Sequence, residues 1–226
     1  MKYNYVHLAI DGVFNRKHSG VTLIDEAQSH IFDDSEDCFS TYVIYSKDAL
    51  EYCNKTNGSI SGYDGIVDTS IFPIDVDGDN ALDVTRQIIH KLKYEFDVDE
   101  NYMMPFYSGK KGFHLYIPSN LFGISPTPQS ELVRRYKWIA KEIHEDIDFN
   151  IYKKNNLLRI ENTIHSKSGI RKIPLTIKEI MNCDMYDIRE LAKYPRYIDY
   201  PYFHEGLIND NLEAMWLVSN NDINAT

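Results

Sequence analysis

The apolar positions of this chain switch repeatedly between a period of two and a period near four. Ile71-Phe72-Pro73-Ile74-Asp75-Val76-Asp77 alternates, with Phe72, Ile74 and Val76 on one face and Asp75 and Asp77 on the other. It predicts a short buried strand ending in two carboxylates. Thr41–Tyr45 is β-rich and predicts a strand, and residues 3–14 predict an earlier one. Tyr102–Tyr107 and Phe113–Ile117 predict two strands joined by a tight glycine turn. In the second of these, Phe113, Leu115 and Ile117 point to the core, and His114 and Tyr116 to the opposite face. Leu157–Ile160 and Lys172–Leu175 predict short strands. Helical spacing marks Ala81–Phe96, through Ile89, Leu92 and Phe96, and Ser130–His144, through Leu132, Val133, Tyr136, Ile139, Ala140 and Ile143. Ser46 reads as the N-cap of a helix over Asp48–Cys53. Thr176–Met181 and Asp184–Lys193 also read as helical. Residues 15–37 read as an exposed loop whose acidic run, Asp33-Asp34-Ser35-Glu36-Asp37, carries little chemistry. Asn54–Gly65 and residues 118–128 read as loops, and the stretch from Tyr197 onward shows no clear pattern. Strands alternating with helices predict a mixed α/β or α+β domain, with no linker strong enough to separate two independent ones.

Composition narrows the class. The 226 residues, 43% apolar and 26% charged, suit a globular protein with a sizeable core. The net charge of −10 argues against a generic basic nucleic-acid coat protein. It leaves room for a polymerase-type site, where a local basic patch and bound metals do the work. Cys38, Cys53 and Cys183 form no CxxC pair, so no zinc and no disulfide framework are expected. The N-terminus has no signal-peptide core, and no apolar run approaches the about 20 residues that span a bilayer. A soluble, cytoplasmic protein with no membrane partner is the expectation.

Two stretches carry candidate chemistry. Asp75 and Asp77 on one strand face repel each other unless a cation lies between them. Mg²⁺ is commonly held by one or two carboxylates plus substrate phosphates. The same Asp-x-Asp-Gly-Asp-Asn is also turn chemistry. A calcium loop of the EF-hand type is excluded by position: counting from Asp75, Asn80 stands where the glycine belongs and Arg86 where the glutamate belongs. The second stretch runs from Ser108 to Tyr116. Gly109 and Gly112 allow close backbone approach, and successive N–H groups in such a turn can bind an anion. Ser108 adds a hydroxyl, Lys110 or Lys111 a positive charge. An acidic strand beside a basic glycine turn suits a metal and a triphosphate.

With these motifs the chain resembles the archaeo-eukaryotic primase superfamily, the catalytic domains of primase-polymerases. The first family motif, an apolar strand ending in Asp-x-Asp, matches Asp75 and Asp77. The second, Ser-Gly-x-Lys-Gly-x-His, matches Ser108, Gly109, Lys111, Gly112 and His114. The third, an apolar residue followed by an acid, matches Ile147-Asp148, with Asp146 the other candidate acid. Leu158-Arg159-Ile160 and His165-Ser166-Lys167-Ser168-Gly169 look like the stretch that often follows. The match spans roughly residues 71–175.

The resemblance implies an α+β fold of mixed or antiparallel sheets with packed helices, built on an RRM-like palm. Residues 1–176 would be the catalytic core and 177–226 a helical extension packed on it. It implies metal-dependent nucleotidyl transfer from an NTP or dNTP on a single-stranded DNA template. Asp75, Asp77 and Asp148 would hold two Mg²⁺ or Mn²⁺ ions. Ser108, Lys111 and His114 would hold the triphosphate, with Arg159, His165 and Lys167 neutralising its charge. Lys153, Lys154, Arg171 and Lys172 would contact template phosphates. A monomer is expected, with a helicase or larger replication protein as partner. Two rival expectations are a metal-dependent nuclease and a nucleotide-binding module without turnover.

Overall fold

The seven strands read from the sequence all form, one of them split in two, and three more, Ser19–Leu23, Ile66–Thr69 and Thr127–Pro128, form because a neighbour offers them an edge. A computed structural model describes residues 3–11, 19–25, 35–200 and 207–221. In chain order its strands are β1 (Tyr3–Ala9), β2 (Ser19–Leu23), β3 (Phe39–Thr41), β4 (Val43–Ser46), β5 (Ile66–Thr69), β6 (Ile71–Val76), β7 (Met104–Tyr107), β8 (Phe113–Pro118), β9 (Thr127–Pro128), β10 (Leu157–Arg159) and β11 (Ile173–Pro174). The helices are α1 (Lys47–Lys55), α2 (Ala81–Tyr94), α3 (Gln129–Ile143), α4 (Ile177–Asn182), α5 (Met185–Leu191) and α6 (Asp210–Asn221). The fold is α+β.

The strands form two antiparallel sheets. One runs β10-β3-β1-β4-β5-β9, with β2 pairing the far side of β1. The other runs β11-β7-β8-β6. The chain crosses from the first sheet to the second at Ser70, between β5 and β6. Ser119 clamps this crossing: its N–H donates to the Ser70 carbonyl (3.0 Å) and its hydroxyl to that of Thr69 (2.6 Å).

The second sheet separates its two faces. Phe72, Ile74 and Val76 of β6 and Phe113, Leu115 and Ile117 of β8 are buried in one core, against α2 and α3. Ile88, Ile89 and Leu92 supply the buried stripe of α2, and Leu132, Tyr136, Ile139 and Ile143 that of α3. The opposite face carries Asp75, His114 and Tyr116. β6 is an edge strand, and this is where Pro73 is tolerated, since its missing N–H breaks no ladder. The outer carbonyls of β6 are satisfied from elsewhere. Tyr136 Oη donates to Ile71 (3.0 Å), Tyr152 Oη to Pro73 (2.7 Å) and the Asp148 N–H to Asp75 (2.8 Å).

Several expectations need correction. The loop over 15–37 contains β2, which pairs along β1; Asp33 and Asp34 lie outside the described residues. Asp37 does not idle in solvent, since it binds Arg159 and Ser166. Residues 118–128 include a 3₁₀ turn at Ser119–Phe122 and the strand β9. The Thr41–Tyr45 strand is broken at Tyr42 into β3 and β4. The patternless C-terminal stretch forms α6, capped by the Asn209 carboxamide oxygen, which accepts from Leu212 N (3.0 Å). Its buried residues, Leu212, Met215, Trp216 and Ser219, do keep helical spacing. Exposed Leu217 and Val218 beside them blur the stripe. Ser46 caps α1 as expected, and Thr176 and Asp184 cap α4 and α5 with full capping boxes.

α6 is tied to α3 by a buried guanidinium. Arg135 stacks 3.2 Å from the centre of the Trp216 ring, donates to the Trp216 carbonyl, and reaches Ser219 Oγ at 3.0 Å. Trp216→Ala is therefore expected to cost about 3–5 kcal/mol in urea unfolding. A loss below about 1 kcal/mol would mean that α6 is no part of the core.

Candidate functional site

Three carboxylates converge where β6 ends. Ligand oxygens of Asp75, Asp77 and Asp148 lie within 4.8 Å of one another. Each arrives for a separate reason. Asp75 is on the polar face of β6, Asp77 follows the last residue of that strand, and Asp148 is held by its own N–H bond to the Asp75 carbonyl. Ile147, buried beside it, anchors the segment in the core. Asp148 also caps a 3₁₀ turn at Phe149–Ile151 and accepts from Asn150 N (2.9 Å) and Nδ2 (2.8 Å). Asp146, the alternative third acid, is exposed and outside the cluster.

The donor set fits a hard cation. Asp75 Oδ1 is buried without a hydrogen-bond partner, a costly state for a carboxylate. Burial, then the charges of Asp77 and Asp148, push the Asp75 carboxyl up to about 7. All three oxygens are of the kind that Mg²⁺ and Mn²⁺ prefer. Asp75, Asp77 and Asp148 could hold a metal ion.

The acids form one wall of a cleft of about 470 Å³, a volume typical of small-molecule sites. The β7–β8 hairpin forms another. Its tip is closed by Ser108 N donating to Gly112 O (2.9 Å) and Gly112 N to Ser108 Oγ (3.2 Å). Among the described residues none accepts from the N–H groups of Gly109, Lys110 and Lys111. Gly109 has φ +92°, and a Cβ there would meet the Ile170 and Arg171 backbone at 3.1 Å. Ser168 Oγ donates to the Gly109 carbonyl, so the 165–171 loop is fastened to the tip. A Cβ on Gly112 would lie 2.2 Å from Asp77 Oδ1. The glycines thus let the hairpin approach both the acids and this loop.

His114 stands directly across from Asp75 in the β6–β8 register. It is 8% exposed, and lies on the cleft side of the sheet rather than in the apolar core. Burial, then the charges of Lys172 and Arg159, hold it well below the usual histidine range. Its Nε2 lies 3.5 Å from Asp75 Oδ1, and its Nδ1 3.2 Å from Tyr116 Oη. Because the ring is neutral, the first contact is not an ion pair.

Arg159 and His165 close the far side. Arg159 Nη1 pairs with Asp37 Oδ1 (2.7 Å), and its guanidinium lies 4.7 Å from the Phe39 ring. Burial alone would raise the Asp37 carboxyl, but hydrogen bonds from Ser166 and Arg159, with the arginine charge, hold it below the usual range. His165 Nδ1 accepts from Lys167 N (3.2 Å), which leaves Nε2 for the cleft. Burial and Arg159 lower its pKa.

The cleft therefore brings together Asp75, Asp77, Asp148, Ser108, Lys111, His114, Arg159, His165 and Lys153. Lys111 also pairs loosely with Asp79 (3.3 Å). Other expected residues lie apart. Lys167 is exposed and does not line the cleft. Lys154 pairs with Asp64 (3.0 Å), and Arg171 donates to the Asn162 carbonyl (2.9 Å). Lys172, expected on a template strand, is 2% exposed, and no nucleic-acid backbone reaches it. Its amine turns inward because one carbonyl, one tyrosine hydroxyl and two aromatic faces receive it there. Asn150, Asn156 and Phe39 line the cleft without any signal in the sequence. Asp37 was visible only as one of five residues in a mostly acidic run.

A scan of the chain against protein-family models finds no match, and a search of the curated proteins finds none either.

Two expectations test this geometry. A carboxyl near 7 when folded, against about 3.9 unfolded, binds its proton more tightly in the fold. Stability is then highest below pH about 4 and falls as pH rises toward about 7. Asp75→Asn removes that loss. With a chelator present, the variant should exceed the native chain at pH 8 by on the order of 2–4 kcal/mol and converge with it near pH 4; equal stability at pH 8 would show that the acids are not crowded. Gly112→Ala should lower Mn²⁺ affinity about tenfold or more, read by calorimetry, because Asp77 must move. Unchanged affinity would detach Asp77 from the metal.

Proposed function

We propose that the chain is a metal-dependent nucleotidyltransferase of the primase-polymerase type. The observation that carries this reading is the meeting of Asp75, Asp77 and Asp148 in one cleft with the glycine hairpin that bears Ser108, Lys110 and Lys111. An acid cluster alone would serve a nuclease as well. A nuclease has little use for a second wall of backbone N–H groups, a hydroxyl and lysines, which suits a triphosphate. The resemblance of the three motifs to the archaeo-eukaryotic primases supports the same reading, as does the antiparallel second sheet, which we read as the palm. On this view residues 177–226 are an extension of a core over 1–176.

The reaction would join a primer 3′-hydroxyl, or an initiating nucleotide, to the α-phosphorus of an NTP or dNTP. A phosphodiester forms, the α–β anhydride breaks, and pyrophosphate leaves. Asp75, Asp77 and Asp148 would hold Mg²⁺ or Mn²⁺, which supplies charge neutralisation at the reacting phosphate. Ser108 and the Gly109–Lys111 N–H groups would grip the phosphate tail, with Lys110 and Lys111 balancing its charge. Arg159, braced by Asp37, and His165 would meet it from the other side. Lys153, exposed at the cleft, is the best placed of the expected template contacts. Single-stranded DNA is the proposed template, and a helicase or larger replication protein the proposed partner.

The test is a reaction on single-stranded template with labelled NTPs or dNTPs and either metal, with and without primer. The native chain should lengthen the product. Asp75→Ala with Asp77→Ala should abolish incorporation and leave the circular dichroism spectrum unchanged. Shortening of a labelled oligonucleotide, with no lengthening, would establish the nuclease instead.

A further inference from the structure

Among the described residues Lys172 is the only buried lysine. Burying an ammonium is expensive unless partners replace its water. Here the Nζ donates to Tyr116 Oη and to the Arg159 carbonyl, both at 2.6 Å. It also lies 4.8 Å from the centre of the Phe106 ring and 4.7 Å from that of Tyr116, within cation–π range. One end of this network holds the backbone of Arg159, a residue that lines the cleft. The other end leads to His114.

Proton bookkeeping gives the network a direction. Burial lowers Lys172 to about 7, against the raising charges of Glu161 and Asp75. Below that pH it is an ammonium with only hydrogens to offer, and Tyr116 Oη accepts from it. The Tyr116 hydroxyl hydrogen then needs an acceptor of its own, and His114 Nδ1 is 3.2 Å away. Accepting there requires Nδ1 to be bare. The ring hydrogen therefore sits on Nε2, which faces the Asp75 carboxylate at 3.5 Å. The opposite tautomer would set a hydrogen on Nδ1 against the hydroxyl hydrogen of Tyr116, two donors facing each other.

We propose that Lys172 is a positioning residue of the cleft: acting through Tyr116, it fixes His114 as the tautomer that carries its hydrogen on Nε2. His114 then presents a donor, not an acceptor, to whatever lies beside the acids. If the proposed function holds, on which this last step rests, that occupant is a phosphate oxygen of the bound nucleotide. Lys172 itself touches no substrate. The same ammonium ties β10, at Arg159, to the second sheet, so two donors from opposite walls share one buried anchor.

The deciding measurement is the two-bond ¹H–¹⁵N spectrum of histidine-labelled protein at about pH 6, where Lys172 is charged, with chelator and no nucleotide. His114 should show a protonated Nε2 and an Nδ1 shifted as a hydrogen-bond acceptor. Tyr116→Phe, which keeps its ring against Phe106, and Lys172→Met should each move the Nδ1 resonance from that position. A protonated Nδ1 in the native chain, or an Nδ1 unmoved in either folded variant, overturns the proposal. Tyr116→Phe decides if Lys172→Met does not fold. A second readout is ATP affinity with Mn²⁺. Each variant should weaken it about tenfold alone and add no further loss to His114→Ala; an equal further loss would mean that Lys172 acts elsewhere. Native protein that binds no ATP would refute the nucleotide reading and leave the tautomer result standing.

Discussion

The exposed edge of β6 is the constraint on which the site depends. An edge strand presents a row of carbonyls that must be satisfied or left to water. Here three successive outward carbonyls, at Ile71, Pro73 and Asp75, accept from Tyr136, Tyr152 and the Asp148 backbone. The first two donors are core tyrosines that pack on Phe72, with ring centres 4.9 and 5.9 Å away. The third is the residue that completes the acid cluster. Closing the edge and assembling the acids are therefore one act of folding. This also gives two of the seventeen tyrosines a reason that composition alone did not supply.

The same sheet carries opposite chemistries on its two faces. Below lies an apolar core of β-branched and aromatic side chains. Above lie a carboxyl, a histidine, a tyrosine and, just before β11, a buried lysine amine. None of these polar groups is cheap to bury. They hold one another in place through short contacts, and the carboxylate left without a partner marks where the arrangement is unfinished. Strain of that kind is characteristic of sites built for a ligand.

Much of this was legible in the sequence, for definite reasons. Strict alternation exposed β6 and β8, and with them the faces of Asp75 and His114. Helical spacing found α2 and α3, cap chemistry found α1, and α4 and α5 also read as helical, with their capping boxes visible only in the structure. The glycines of the hairpin announced close approach, and the structure shows what they approach. What stayed hidden depends on contacts distant in sequence. β2 is a short strand that owes its form to β1. α6 mixes exposed Leu217 and Val218 with its buried stripe. The choice of Asp148 over Asp146 rests on a backbone bond to a strand more than seventy residues earlier. Lys172 looked like surface charge because nothing local reveals the aromatic pair that receives it. Asp37 looked like solvated acid because its arginine lies far along the chain.

The clamped crossing at Ser70 bears on how the two walls of the cleft are held apart. β5 and β6 are one ribbon bent between two sheets, and Ser119 staples the bend from both sides of the corner. Thr69 adds a third staple, its hydroxyl donating to the Ile71 carbonyl at 2.8 Å. A jaw hinged there would have to tear these bonds at every cycle. The corner between the two sheets is thus a brace, not a hinge.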